Sequence, residues 1–278
     1  RMGTLGNYKA VNGMQKPVFE IPAGASTRLR VLNLDNTRVF HVSFKDQLPE
    51  AKVISNDGMP FKEPRDLDAY PLGAGMRMDV GFIAPSELDK ELILYDRKGK
   101  FHFEICRLKI VKNNKSASKT IPTLKVNPIP EPELKKAKPL KFVFEWEGAV
   151  APAGKDGKKD PVFWTINRRG WTHDGMKDDG SHHHLPEPLA TLKKGTSYII
   201  ELRNNTPHSH PIHMHGEIMT VLNSNKRDIE PYQADTVLLK AEEVVNVSLK
   251  ADNVGKWMFH CHVIEHMKTG LMGYIEIV

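Results

Sequence analysis

The sequence lacks the marks of several large classes of protein. Its 278 residues include only two cysteines, so cysteine usage builds no disulfide framework and does not indicate a redox compartment. No apolar run approaches the length of a membrane span, and no segment has a strong helical period. The formal net charge of +6 is spread over many lysines instead of forming a patch with interleaved aromatic residues. We therefore expect neither a membrane span nor a nucleic-acid partner.

The apolar segments that are present are short and indicate an all-β fold. Residues 27–32 and 39–44 alternate in hydrophobicity, and turns rich in Pro, Gly, Asn and Asp separate such segments. This pattern is typical of antiparallel β-sandwiches. At 278 residues, the chain is long enough for about two domains that each bury a core.

An internal repeat indicates that two related units follow each other. Three pairs of segments match: GASTRLRVLN at 24–33 with GTSYIIELRN at 195–204, residues 68–80 with 235–247, and GKFHF at 99–103 with GKWMF at 255–259. Self-similarity of this kind is the signature of a duplicated structural unit.

The segment between the two units is rich in Lys, Ser and Pro. Such a composition cannot build a core and is typical of a semi-extended linker. We predict one domain at 1–112, a linker at 113–140 and a second domain at 141–278. The first domain has no paired cluster of metal ligands, so we expect it to carry no metal.

Two histidine clusters in the second domain carry the strongest chemical signal. They read HPIHMHG at 210–216 and HCHVIEHMKTGLM at 260–272. Successive side chains of a strand point to opposite faces, so His260 and His262 share one face while Cys261 points to the other. In the first cluster the same alternation separates His210 from the pair formed by His213 and His215.

This division predicts two metal sites that lie back to back. One gathers His210, Cys261 and His266, and a set of two imidazoles and one thiolate suits a blue copper centre. The other gathers four imidazoles, which suits copper that meets oxygen. Zinc is the rival metal, but structural zinc sites favour several closely spaced cysteines, and only Cys261 lies in these clusters.

At these two motifs the chain closely resembles the multicopper oxidases, the family of laccases and cuprous oxidases. The resemblance implies two cupredoxin-like Greek-key β-sandwich domains, similar to the middle and last domains of a three-domain member. It implies these copper ligands: His210, Cys261 and His266 for type 1 copper, His213 for type 2, and His215, His260 and His262 for type 3. It also implies that electrons pass from Cys261 through the bonded neighbours His260 and His262 to a trinuclear type 2 and type 3 cluster.

Two features depart from the family pattern. Where many bacterial relatives have an axial methionine, this chain has Leu271, with Met272 one position later; either residue remains a candidate for the axial position. In addition, the complete trinuclear site of the family needs eight histidines, and four of them come from an N-terminal domain. No equivalent HxH pair is present here, and we interpret the histidine triplet at 182–184 as part of a solvated loop.

The resemblance implies an oxidase that takes single electrons from a small reducing substrate, or from Cu(I), and reduces oxygen to water. We expect a further N-terminal cupredoxin domain as its partner, and a periplasmic or extracellular location. The alternative is a non-catalytic copper-binding or electron-transfer protein that uses only the type 1 site. The missing HxH pairs favour this alternative for the isolated chain, whereas the four remaining imidazoles favour the oxidase.

Overall fold

The structure is a computed structural model that describes residues 3–118, 120–146, 162–171 and 185–278. It contains two compact units, one formed by Leu5–Asn127 and one that includes Pro128–Val278. The first strand of the second unit begins at Lys138, within the last residues assigned above to the linker. The domain limits at 112 and 141 stay predictions.

The N-terminal unit is built from two β-sheets that share a core. Its strands are β1 (Val18–Pro22), β2 (Ser26–Leu32), β3 (Phe40–Ser43), β4 (Lys52–Asn56), β5 (Met59–Asp66), β6 (Tyr70–Leu72), β7 (Arg77–Ile83), β8 (Glu91–Lys98) and β9 (Phe101–Val111), with a 3-10 helix at Lys45–Gln47. The strand orders are β1-β9-β8-β3-β6 and β2-β7-β4-β5. Phe44 and Phe82, whose ring centroids are 5.7 Å apart, pack edge to face between the sheets.

The C-terminal unit repeats this plan with additional strands. Its elements are a 3-10 helix (Leu134–Lys136), β10 (Lys138–Glu145), β11 (Thr165–Ile166), β12 (Ala190–Leu192), β13 (Ser197–Asn204), β14 (His210–Met214), β15 (Met219–Ser224), β16 (Tyr232–Ala234), β17 (Thr236–Leu239), β18 (Val244–Lys250), β19 (Gly255–Cys261), α1 (Ile264–Lys268) and β20 (Met272–Ile277). The orders are β11-β10-β13-β18-β15-β16 and β12-β20-β19-β14-β17. One cluster of buried apolar side chains draws on both sheets, including Phe142, Val247 and Phe259. The predicted all-β sandwich fold is confirmed.

No helix within the described part of the chain has the length and hydrophobicity that crossing a membrane requires.

The sheet orders test the repeat. β2-β7-β4-β5 in the first unit corresponds to β13-β18-β15-β16 in the second, and β1-β9-β8-β3-β6 corresponds to β12-β20-β19-β14-β17. The first two segment matches agree with this correspondence. The third is wrong, because it aligns the start of β9 with the start of β19, whose counterpart is β8. A Gly-Lys-aromatic segment fits the start of either strand, so local similarity did not determine the register.

The repeat preserves one buried asparagine at the end of β2 and of β13. The Asn33 side-chain amide donates to the carbonyls of Arg38 and Leu72 at 2.7 and 2.9 Å. The Asn204 amide donates to the carbonyls of His208 and Lys240, both at 2.7 Å. In each unit one amide therefore satisfies one carbonyl in the turn that follows its strand and one at or just after the end of a later strand, β6 or β17. Such carbonyl groups would be costly to bury unpaired. In the second unit the anchored turn leads directly into His210.

Candidate metal centre

The pairing of β14 with β19 sorts the histidines onto two faces. Ile212 lies opposite Cys261, and His213 lies opposite His260. Directly opposed residues of an antiparallel pair present their side chains on the same face. Cys261 and Ile212 therefore point into the sandwich core, and His213 and His260 point away from it, as the alternation predicts.

On the core side, three side chains converge on one point. The Nδ1 atoms of His210 and His266 are 3.1 Å apart, and each lies 3.6 Å from Sγ of Cys261. A point in the plane of these atoms lies about 2 Å from all three, close to the ~2.0–2.3 Å of metal bonds to imidazole and thiolate. All three residues are at most 2% exposed. His266 reaches the group from α1, which follows Cys261 in the chain.

A chain of hydrogen bonds determines which nitrogen of His210 faces this point. The Asn204 side-chain oxygen accepts the Thr206 backbone N–H at 3.0 Å, so it is an acceptor, and it lies 2.8 Å from the Thr206 hydroxyl. The hydroxyl must then donate to Asn204 and accept from His210 Nε2, which lies 2.8 Å away. His210 Nδ1 is left with its lone pair directed at Cys261 and His266, the state that binds a metal.

Burial dominates the protonation chemistry of this group. It raises the pKa of the Cys261 thiol, while the backbone N–H of Val263, which donates to Sγ at 3.4 Å, acts in the opposite direction. Burial also holds the pKa of His210 well below its ordinary value, with a further contribution from His266. The imidazole is therefore a neutral ligand, and the thiol must release its proton when a cation binds.

On the opposite face, four imidazoles form a second group. Ring centroids are 4.6 Å apart for His213 and His215, 5.3 Å for His215 and His260, and 5.5 Å for His260 and His262. The Nε2 atoms of His215 and His260 are 3.1 Å apart, a separation that suits two ligands of one ion. His213 also lies 5.7 Å from His262.

Backbone carbonyls orient two of these rings. His213 Nδ1 lies 3.0 Å from the Asp235 carbonyl, and His260 Nδ1 lies 2.9 Å from the Cys261 carbonyl. A carbonyl only accepts, so Nδ1 carries the proton in both rings and each Nε2 offers a lone pair. Burial is the main reason that the pKa of His260 is lowered to about 4. Burial also lowers the pKa of His215, so His210, His215 and His260 all favour the neutral form that binds a cation.

Sequence reasoning missed one residue that packs on the core-side group. Trp164 is fully buried, and its ring centroid lies 4.3 Å from that of His266 and 5.1 Å from that of His210. Its backbone N–H donates to the Thr269 carbonyl at 3.1 Å. Trp164 lies far from both motifs in the sequence, so no spacing signal could have found it.

The histidine triplet at 182–184 and Cys106 are further potential metal ligands. The histidines at 182–184 lie outside the described residues. Among the residues that the structure describes, the one group of three His, Cys, Asp or Glu side chains with ligand atoms all within 4.8 Å is His210, Cys261 and His266. Cys106 of the N-terminal unit is buried in β9, and burial raises the pKa of its thiol to about 11.

The chain is similar in sequence and structure to known copper-containing oxidases. A family model described as multicopper oxidase matches residues 156–278. The crystal structure of a multicopper oxidase from Pseudomonas thermotolerans superimposes with a TM-score of 0.83 and 40% identity, covering 100% of this chain and 61% of that one. A curated multicopper oxidase of Staphylococcus aureus is 25% identical over 99% of this chain and 53% of its own length. A laccase of Bacillus subtilis is 23% identical over 96% of the chain.

Residues 156–278 therefore match the multicopper oxidase family, and the whole chain is similar to members of that family. The neighbours also confirm the two predicted cupredoxin-like domains. The chain spans about half the length of the curated relatives that it matches. Copper is the cofactor that the family implies, and the core-side thiolate and imidazoles provide a donor set that fits it.

The strand register separates the two axial candidates. Met272 lies opposite His260 in the β19–β20 pair, so its side chain is on the face of His260 and not on that of Cys261. Leu271 is fully buried in the apolar cluster that contains Cys261. The register therefore favours Leu271, which cannot donate to copper, over Met272 as the residue that would take the axial position implied by the family resemblance.

Replacing Thr206 tests the hydrogen-bond chain behind His210. Thr206→Val removes the acceptor for His210 Nε2, and we expect copper affinity at the blue site to fall by about 10- to 100-fold, the usual effect of losing such a partner. Thr206→Ser keeps the hydroxyl and should retain the affinity. Competition with a chelator, followed by the blue absorption, measures both. Equal affinities in the two variants would contradict the orientation argument.

Leu271→Met tests the axial assignment. A thioether placed near copper favours Cu(II), so the reduction potential should fall. The matched variant Met272→Leu changes a side chain on the other face and should leave the potential unchanged. Redox titration of the blue absorption measures both changes. A shift in Met272→Leu with none in Leu271→Met would reverse the assignment.

Proposed function

We propose that this chain is the copper-bearing part of a laccase-like oxidase that couples one-electron oxidation of a small reductant, or of Cu(I), to reduction of oxygen to water. The observation that supports this proposal most strongly is the separation of seven candidate ligand side chains into two groups on opposite faces of the β14–β19 pair. His210, Cys261 and His266 would hold type 1 copper. His213 would hold type 2 copper, and His215, His260 and His262 would hold the type 3 pair.

Bound copper would supply one-electron redox chemistry at the first group and oxygen reduction at the second. The chain itself would contribute the route between the groups. Cys261 of the first group is covalently bonded to His260 and His262 of the second, which gives a short through-bond path between the groups. The hydrogen bonds of His213 and His260 keep their Nε2 atoms ready to bind without any change of tautomer.

The two groups differ in access, which fits their proposed roles. The first group is enclosed in the core, so solvent cannot reorganise around it. In the second group, the His213 side chain is 17% exposed and His215 and His262 are half-buried. This open side is where an N-terminal cupredoxin domain would add the other four imidazoles and where oxygen would enter.

The second candidate function is a copper-binding or electron-transfer protein that uses only the type 1 site. It is favoured by the count of imidazoles, because the second group has four in a family whose complete cluster needs eight. By the family resemblance, we infer a periplasmic or extracellular location for the whole protein.

Cys261→Ser tests the type 1 assignment. The copper-loaded chain should be blue through the thiolate, and the variant should lose the colour while its circular dichroism shows an intact fold. His262→Ala, which changes only the second group, should stay blue and bind less copper. Absorption spectroscopy and copper analysis measure these outcomes. An intense blue band that survives in Cys261→Ser would remove this residue from the site.

Oxygen consumption distinguishes the two candidate functions. The chain alone should reduce oxygen very poorly, because half of the ligand set holds its coppers loosely. Adding an N-terminal cupredoxin domain with two HxH strands should raise copper stoichiometry and oxygen uptake together. An oxygen electrode and metal analysis measure this. If the added domain binds but neither quantity rises, the electron-transfer function is favoured.

A further inference from the structure

The buried type 1 group is in contact with a row of aromatic side chains that reaches the surface. Trp164 is fully buried and packs on His266, with 4.3 Å between the ring centroids and an angle of 40° between the ring planes. Trp146 lies next in the row, 6.0 Å from Trp164 with an interplanar angle of 35°, and is 39% exposed. His208 lies 5.7 Å from Trp164 and 5.8 Å from Trp146, and fills the third side of this aromatic triangle.

This arrangement matters because the ligands themselves offer no exposed edge. His210 and Cys261 are 0% exposed and His266 is 2% exposed, so an external electron donor cannot touch a ligand ring. Trp164 covers both imidazoles, with its ring edge-on to His210 at 5.1 Å. On this side the two indoles lie between the ligand rings and the surface, with the His208 ring beside them, 6.4 Å from that of His266.

The backbone holds the inner indole in place. Phe163 and Trp164 both donate their N–H groups to the Thr269 carbonyl, at 2.9 and 3.1 Å, and Trp171 donates to the Gly270 carbonyl at 3.0 Å. A Cβ on Gly270, whose φ is +122°, would lie 2.1 Å from the Trp164 carbonyl oxygen. Only glycine allows this approach, and it fixes Trp164 against the turn that follows His266.

We propose that Trp146 and Trp164 form the path by which electrons enter the type 1 site, and that the donors served are bulky outer-sphere reductants that touch Trp146. The inference rests on the function proposed above. In each step the donor loses one electron, bound Cu(II) gains it and becomes Cu(I), and both indoles end unchanged. Any proton that the donor releases goes to solvent at the exposed edge of Trp146.

The test follows anaerobic bleaching of the blue band after the copper-loaded chain is mixed with ferrocyanide, a donor too large and too charged to enter the core. This single electron transfer does not need a complete trinuclear site. Trp146→Ala should slow bleaching at least about tenfold, equivalent to about 1.4 kcal/mol in activation free energy. Trp146→Tyr, which keeps an oxidisable ring, should recover most of the rate, and Trp164→Phe should slow it.

Trp257→Phe is the matched control and should leave the bleaching rate unchanged. The Trp257 indole donates to the Asn253 carbonyl at 2.7 Å and does not belong to the row formed by Trp146 and Trp164. The fluorescence lifetime of Trp146 is a readout that does not depend on turnover. It is obtained by subtracting the emission decay of the Trp146→Phe variant from that of the parent chain. The lifetime should be shorter with Cu(II) than with Zn(II), because zinc has no redox chemistry. The band position and the reduction potential should not change in Trp146→Ala.

The outcomes separate this inference from the function on which it rests. Unchanged bleaching in Trp146→Ala, with the blue band intact, would show that electrons enter elsewhere while the oxidase function stands. The same result in Trp164→Phe would also overturn the path. A parent chain that binds no blue copper would overturn both proposals together.

Discussion

The antiparallel pairing of β14 with β19 is the constraint on which the rest of the site depends. Because side chains alternate with a period of two, one register places Cys261 opposite Ile212 in the core and His213 opposite His260 on the other face. A slip of one residue would exchange the two faces and dismantle both ligand groups. The apolar residues between the ligands resist such a slip, since Ile212, Met214 and Phe259 would then leave the core.

Burying a thiol and two imidazoles among apolar side chains is unfavourable unless each polar atom has a partner. Thr206, held by Asn204, supplies the hydrogen-bond partner of His210 Nε2. A cation bound between the two Nδ1 atoms and Sγ would supply the partner of those three atoms. The same asparagine device recurs at Asn33 in the N-terminal unit. There it holds a turn in place, whereas in the C-terminal unit the turn that it holds also leads into His210, a candidate metal ligand. The buried asparagine of the repeated unit therefore also helps to position His210 in the second unit.

The closed and open ligand groups make different demands on their surroundings. In the proposed function, electrons would have to cross a protein layer to reach the closed group, and the indoles of Trp164 and Trp146 lie in that layer. The open group would need room for oxygen and for further ligands, and its half-buried rings would leave that room. Trp146 and Trp164 lie just outside β10 and β11, and His215 and His262 lie just after β14 and β19; such connecting residues can vary without loss of the core.

The sequence by itself determined the all-β class, the two repeated units and the division of the seven candidate ligands between two faces, because strand alternation and motif spacing are local properties. Only the tertiary structure decided that Met272 lies on the face of His260, since this follows from the pairing of β20 with β19. It alone brought Trp164 onto His266 and set β8, not β9, as the counterpart of β19. These features depend on contacts between residues distant in the chain, and no local pattern of amino acids records which distant segments will meet.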